Sequence, residues 1–195
     1  MKYDLASKVI LTDCDGVLMD WLYAFHGWVS TVYGLDIKQD NTYDLALTYG
    51  ILPHRAKELV RSFNSSAAIS YVPPLRDAVK YVKKLHEEHG YVFHCITSLS
   101  LDPSAYKARE YNLHQLFGKT AFEKLVCLDT GADKDYALEE YRGTGCYWIE
   151  DKKENVELGT KLGLNSIIID HPFNRSYNGP ALRVNNWKEF YDHIV

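Results

Sequence analysis

Excess positive charge is missing from this chain of 195 residues. Its 22 Lys and Arg stand against 26 Asp and Glu, a formal net charge of -4, and neither sign forms a long run. That balance lacks the electrostatic footprint of a duplex nucleic-acid binder, although a positive site for a small anion can sit on an acidic surface. Cysteines are few. Cys14, Cys95, Cys127 and Cys146 include no C-x-x-C pair, and three lie inside apolar runs ("YVFHCIT", "KLVCLD", "CYWIED"). Small buried thiols are expected, rather than disulfides or a zinc site. No apolar run approaches the length of a membrane span, and "MKYDLASKVI" lacks the apolar core of a signal peptide. A cytoplasmic protein of a reducing compartment is the expectation. Internal repeats and low-complexity segments are absent too.

What is present is ordinary globular composition, 46% hydrophobic and 25% charged, over a length that buries a real core as one large domain or a domain with an insertion. Short β-branched runs recur at 8–13, 91–97, 124–129, 146–151 and 165–170. Between them lie helical periods. In "PLRDAVKYVKKLHEEHG" the residues Leu75, Ala78, Val79, Val82 and Leu85 keep helical spacing, and Gly90 stops it. "SAYKAREYNLHQLFG" and "DKKENVELGTKLGL" read as two more helices. Strands alternating with helices predict an α/β fold with a mostly parallel sheet flanked by helices. From Trp21 to about Tyr71 no strand is evident, only helix-like segments ("WLYAFHGWVSTVYG", "PHRAKELVRSFN"). This predicts a small helical domain, 20–71, inserted after the first strand of a core made of 1–19 and 72–195.

The stretch "VILTDCDGVLMDW" ends an apolar strand on Asp13 and Asp15, with Gly16 to allow a sharp turn. In a parallel sheet, ligands bind beyond the carboxyl ends of the strands. Two carboxylates held there repel unless a cation or shared proton relieves them, and magnesium suits such oxygens. A solvated turn with two acids is the plainer reading of that motif alone. Other strand ends add to it: Thr97-Ser98 after "FHCI", Glu150-Asp151 after "YWI" with Asn155 a helical turn later, and Lys134 near a helix start. His94, inside a strand, reads as a core residue.

With these motifs in order, the chain resembles the haloacid dehalogenase (HAD) superfamily of phosphohydrolases: "DCDGV" as motif I, "CITS" as motif II, Lys134 as motif III and "IEDKKEN" as motif IV. The resemblance implies a Rossmann-like core with a cap after the first strand, and a Mg2+-dependent phosphatase. It implies Asp13 as nucleophile and Asp15 as acid and base. Thr97, Ser98 and Lys134 would then bind phosphate, and Mg2+ would sit on Asp13, the Asp15 carbonyl and Asp151 with help from Glu150. Within the superfamily, "DCDGVLMDW", "IIIDHPFNR" (with Pro172, Phe173, Asn174 and Arg175) and "LRVNNWKEF" are most similar to the 5'(3')-deoxyribonucleotidase-like branch, in which Trp21 would pack on the nucleobase. Motif IV here is Glu-Asp where that branch usually shows Asp-Asp. The inserted interval also carries Tyr23, Phe25, Trp28, Tyr33, Tyr43 and Phe63, which either stack on a substrate or fill the cap's own core. Alternatives are a sugar-phosphate or other metabolite phosphatase, a phosphotransferase, a nucleic-acid 3'-end phosphatase, or a non-catalytic binding protein. A homodimer follows from the resemblance alone.

Overall fold

Val9–Thr12 forms β1, and all four of its residues are buried. Ile10 packs on one face with Phe93, Cys95 and Ile149, while Val9 and Leu11 pack on the other with Ile96 and Trp148. A strand buried on both faces needs helices above and below its sheet. The computed structural model, which describes residues 8–39 and 42–195, has this arrangement. The N-terminal stretch read above for a signal peptide falls largely on residues 1–7, outside the described residues.

β1 is joined by β2 (Val92–Ser98), β3 (Phe122–Leu128), β4 (Tyr147–Glu150), β5 (Asn165–Ile169) and β6 (Leu182–Val184). The order is β3-β2-β1-β4-β5-β6, every neighbouring pair parallel. This is a doubly wound, Rossmann-like sheet. Its order reverses between β1 and β4, and there the carboxyl ends part to leave a crevice. Helices α4 (Ala78–His89), α5 (Pro103–Phe117) and α8 (Trp187–Ile194) send Val82, Leu85, Leu113, Phe117, Trp187 and Phe190 to one face. Helices α6 (Asp135–Glu139) and α7 (Lys153–Lys161) cover the other through Leu138 and Leu158.

Between β1 and α4 lie α1 (Trp21–Tyr33), α2 (Leu45–Tyr49), α3 (Pro53–Asn64) and a 3-10 turn, Ala67–Tyr71, with no strand among the described residues. Their centre is aromatic. Trp21 stacks on Phe25 with ring centroids 4.6 Å apart, and Phe63 meets both rings edge-on. The chain enters and leaves this interval side by side, through Leu75 N–H to Leu18 O at 2.8 Å and Asp20 N–H to Pro73 O at 2.8 Å.

Some local readings are corrected. α4 starts at Ala78 rather than Leu75, because Arg76 takes a left-handed φ of 44° and Asp77 turns its carboxylate to the N–H groups of Trp187 and Lys188. Leu75 is buried all the same. β6 escaped sequence reading because only Val184 of its three residues is buried. None of the four cysteines is in a disulfide. Cys14, Cys95 and Cys146 are buried, but Cys127 is half-buried because β3 is the sheet's edge. His94 is a core residue, its Nδ1 2.8 Å from the Tyr141 hydroxyl.

Candidate active site

The site grows from the turn that ends β1. The carbonyl of Cys14 accepts the N–H groups of Leu18 and Met19 at 2.8 and 2.9 Å, and Gly16 N–H closes onto Met19 O at 2.9 Å. Gly16 has φ +81°, and a side-chain carbon there would fall inside the Asp151 carboxylate. Glycine therefore lets the end of β4 approach the end of β1. His171 Nε2 lies 2.6 Å from Gly16 O, tying the segment after β5 to the same turn.

Asp13 leaves β1 beside Lys134, which stands at the N-cap of α6 and is only 2% exposed. Lys134 Nζ is 2.7 Å from Asp13 Oδ1 and 2.8 Å from Glu150 Oε1. Glu150, fully buried, also accepts Asn155 Nδ2 at 2.6 Å and the backbone N–H groups of Asp151 and Lys152 at 2.7 and 2.6 Å. Four donors thus surround Glu150, among them Lys134 and the Asp151 backbone N–H. Asn174 holds that backbone from behind, its Nδ2 donating to Asp151 O and Ile169 O, each at 2.8 Å.

Burial governs the charges. It pushes the Asp13 carboxyl up to about 7 against the pull of Lys134. It pushes Asp151 well above the usual carboxylate range, reinforced by Glu150 and Asp13. Burial acts on Glu150 as well, but Lys134 and the hydrogen bonds from Lys152 and Asn155 outweigh it and hold that carboxyl low. Asp13, Glu150 and Asp151 offer oxygens that all lie within 4.8 Å of one another. Crowded, buried carboxylates that resist ionising are a hard-oxygen donor set, and a hard divalent cation such as magnesium fits them.

Asp15 has a cation of its own. Its Oδ1 is 2.6 Å from Nη2 of Arg109, which α5 buries completely. Burial raises the Asp15 carboxyl, opposed by Arg109 and by a hydrogen bond from Thr97. Thr97 and Ser98 end β2 at the same crevice, and Ser98 donates its hydroxyl to Ala132 O at 2.7 Å. Arg109 was missed in the sequence because "KAREYN" looks like an exposed helix face. The signal lay in its spacing from Ala105, Leu113 and Phe117, which puts it on the buried stripe.

These groups floor a cavity of about 730 Å³. Of the seven rings singled out in the inserted interval, Trp21 and Tyr43 reach it. Phe25 and Phe63 are buried in the interval's interior with Trp28 packed against them, and Tyr23 and Tyr33 are exposed. Trp21 Nε1 donates to Asn64 Oδ1 at 3.0 Å, and Asn64 Nδ2 donates to Leu99 O at 3.0 Å, just past Ser98. Tyr43 packs on Phe173, which stacks on His171. On α3, Lys57 and Arg61 face the cavity, and Arg61 also pairs with Asp129, just past β3, at 3.2 Å. Arg175 turns instead to Asp170 at 3.1 Å.

Three kinds of similarity bear on this arrangement. A family model described as "5' nucleotidase, deoxy (Pyrimidine), cytosolic type C protein" matches residues 7–195. An uncharacterized 32.4 kDa protein of Enterobacteria phage T4, from the Gp30-rIII intergenic region, is 30% identical over 166 residues. That match takes in 78% of this chain and 57% of the phage protein, so the chain spans little more than half of that relative. Among solved structures, a haloacid dehalogenase-like family hydrolase from Streptococcus pneumoniae superposes with a TM-score of 0.69 at 13% identity, covering 96% of this chain and 98% of its own. A HAD phosphatase from Thermococcus onnurineus superposes with a TM-score of 0.60 at 15% identity, covering 95% and 97%. Such low identity speaks for the fold. With the family match running from before β1 to the last residue, the chain belongs to the cytosolic type C deoxy 5' nucleotidase family, within the haloacid dehalogenase superfamily.

Proposed function

We propose that the chain is a magnesium-dependent phosphomonoesterase that hydrolyses a deoxyribonucleoside monophosphate in two steps. The observation that carries this reading is Asp13 at the cavity floor, held by the buried Lys134 and crowded by Asp151, with Asp15 two residues on. A carboxylate oxygen of Asp13 attacks phosphorus, the ester P–O bond breaks, and the Asp15 carboxyl gives its proton to the departing oxygen. The aspartyl-phosphate is then opened by water. Asp15, now a carboxylate, takes the water's proton as its oxygen attacks phosphorus, and the bond to Asp13 breaks to release inorganic phosphate. Lys134, Thr97 and Ser98 offset charge on the phosphoryl oxygens, where most of the stabilisation in such transfers lies. Asp13, Asp151 and the Asp15 carbonyl would hold magnesium, which would supply positive charge against those same oxygens. Glu150 keeps Lys134 and the Asp151 backbone in place.

The nucleotide part rests on the family name, the cavity and its rings. A volume of about 730 Å³ lies in the range of small-ligand sites. Stacking of a base on an aromatic ring is worth about 1–3 kcal/mol, and Trp21 is the ring we assign to it. In this reading residues 20–71 are the cap, and 1–19 with 72–195 the catalytic core. The test is phosphate release from deoxy- and ribonucleoside 5'- and 3'-monophosphates and common sugar phosphates, with magnesium and with EDTA. Magnesium-dependent release that favours deoxynucleotides is expected. Preference for sugar phosphates would keep the chemistry and overturn the substrate, and no release from any ester would overturn both.

A further inference from the structure

Arg109 lies on the buried side of its helix, where a cation is costly. The stripe of α5 that faces inward runs Ala105, Arg109, Asn112, Leu113 and Phe117, and Arg109 within it is 0% exposed. Nη2 meets Asp15 Oδ1 at 2.6 Å, while Nε and Nη1 have no hydrogen-bond partner among the described residues. A guanidinium keeps its charge in such surroundings. A single ion pair seldom repays that desolvation, and an apolar side chain of similar length commonly serves a fold as well. Stability is therefore a poor account of this residue.

Its effect is on Asp15. The backbone of the turn is already fixed by the bonds to Cys14 O, so what Arg109 sets is the direction of the carboxylate. Arg109 holds Oδ1 from beneath and Thr97 adds a second hydrogen bond to the carboxylate, which is turned toward the cavity that Asp15 lines and Arg109 does not. We propose that Arg109 is a positioning residue for departure of the leaving group: it grips Asp15 Oδ1 from the buried face of α5 and so aims the carboxyl at the ester oxygen that leaves. The inference rests on the proton-transfer role given to Asp15 above.

Leaving groups separate this role from a structural one. The aryl ester p-nitrophenyl phosphate departs as a stabilised phenolate and needs little protonation, whereas a deoxynucleoside 5'-monophosphate departs as an alkoxide and needs the Asp15 proton. The ratio kcat/KM reports steps up to that departure, so the later hydrolysis common to both esters does not blur it. Arg109→Met is expected to lower kcat/KM about 10²-fold for the nucleotide and less than about 10-fold for the aryl ester, with cooperative thermal unfolding retained. Arg109→Lys should recover part of the gap. Equal losses on the two esters, or none on either, would overturn the proposal. Should Arg109→Met fail to fold, the lysine variant decides: a larger loss on the nucleotide supports the proposal, and equal losses overturn it. Failure of the phosphatase reading itself would appear earlier, as wild-type protein that releases phosphate from neither ester with magnesium, and would take this inference with it.

Discussion

Asp13 and Asp15 are two residues apart, and each is answered by a buried cation from a different element, Lys134 at the start of α6 and Arg109 within α5. From the sequence such closeness calls for a cation or a shared proton, and the structure supplies two fixed charges as well. Those charges do not fully offset burial, and this makes the metal-free site sensitive to pH. The Asp13 carboxyl, pushed from an ordinary 3.8 up to about 7 chiefly by burial, has a folded pKa above its unfolded one. Such a group contributes stability that is fully present below its unfolded pKa and is lost as pH rises through the folded value. Metal-free protein is therefore expected to lose melting temperature between about pH 4 and about pH 8, and Asp13→Asn should flatten that loss. Because magnesium competes with the proton, it should raise the melting temperature more at the alkaline end. Thermal melts of both proteins across the range, with magnesium and with EDTA, check this; a larger magnesium effect at the acid end would contradict it.

At the scale of elements, α3 meets the core through two contacts of unequal strength. Asn64 is buried and bridges Trp21 Nε1 to Leu99 O, so it connects α1, α3 and the segment after β2. Arg61 and Asp129 pair at 3.2 Å with side chains 57% and 45% exposed. Removing a buried hydrogen-bonding group leaves its partners unsatisfied, at about 1–3 kcal/mol each, whereas an exposed ion pair is worth about 0–1 kcal/mol. Urea denaturation should thus show Asn64→Ala destabilised by about 2 kcal/mol and Asp129→Asn by less than about 1 kcal/mol. The reverse order would mean that the ion pair, not the asparagine, fastens α3. Legibility differs between elements for similar physical reasons. β1, β2 and β5 announce themselves as continuous apolar runs because both their faces are covered. α3 reads cleanly because Pro53 opens it and a strong apolar period follows. β6 does not, because three residues with one buried side chain carry no period.

For the whole molecule, the strand order matters most, since its reversal between β1 and β4 brings "DCDG" and "IED" to one crevice. Asp13, Lys134 and Asp151 were legible because each sits at a strand end or helix start, where chemistry is expected. Arg109 and His171 were not. They reach the site from distant parts of the chain, and Arg109 and Asp15 are 94 residues apart, so no local pattern announces them. The inserted interval divides in the same way: its rings were visible as a group, but only folding shows that Phe25 and Phe63 are interior while Trp21 and Tyr43 face the cavity. Everything proposed for the site rests on one claim, that Asp13 becomes covalently phosphorylated. Its most direct test is an acid-quenched single turnover with a radiolabelled deoxynucleoside monophosphate and magnesium, followed by peptide mapping. The account predicts label on the peptide containing Asp13 in wild-type protein, with no label and no phosphate release in a folded Asp13→Asn variant. Full turnover without labelled protein, or label on another residue, would contradict it.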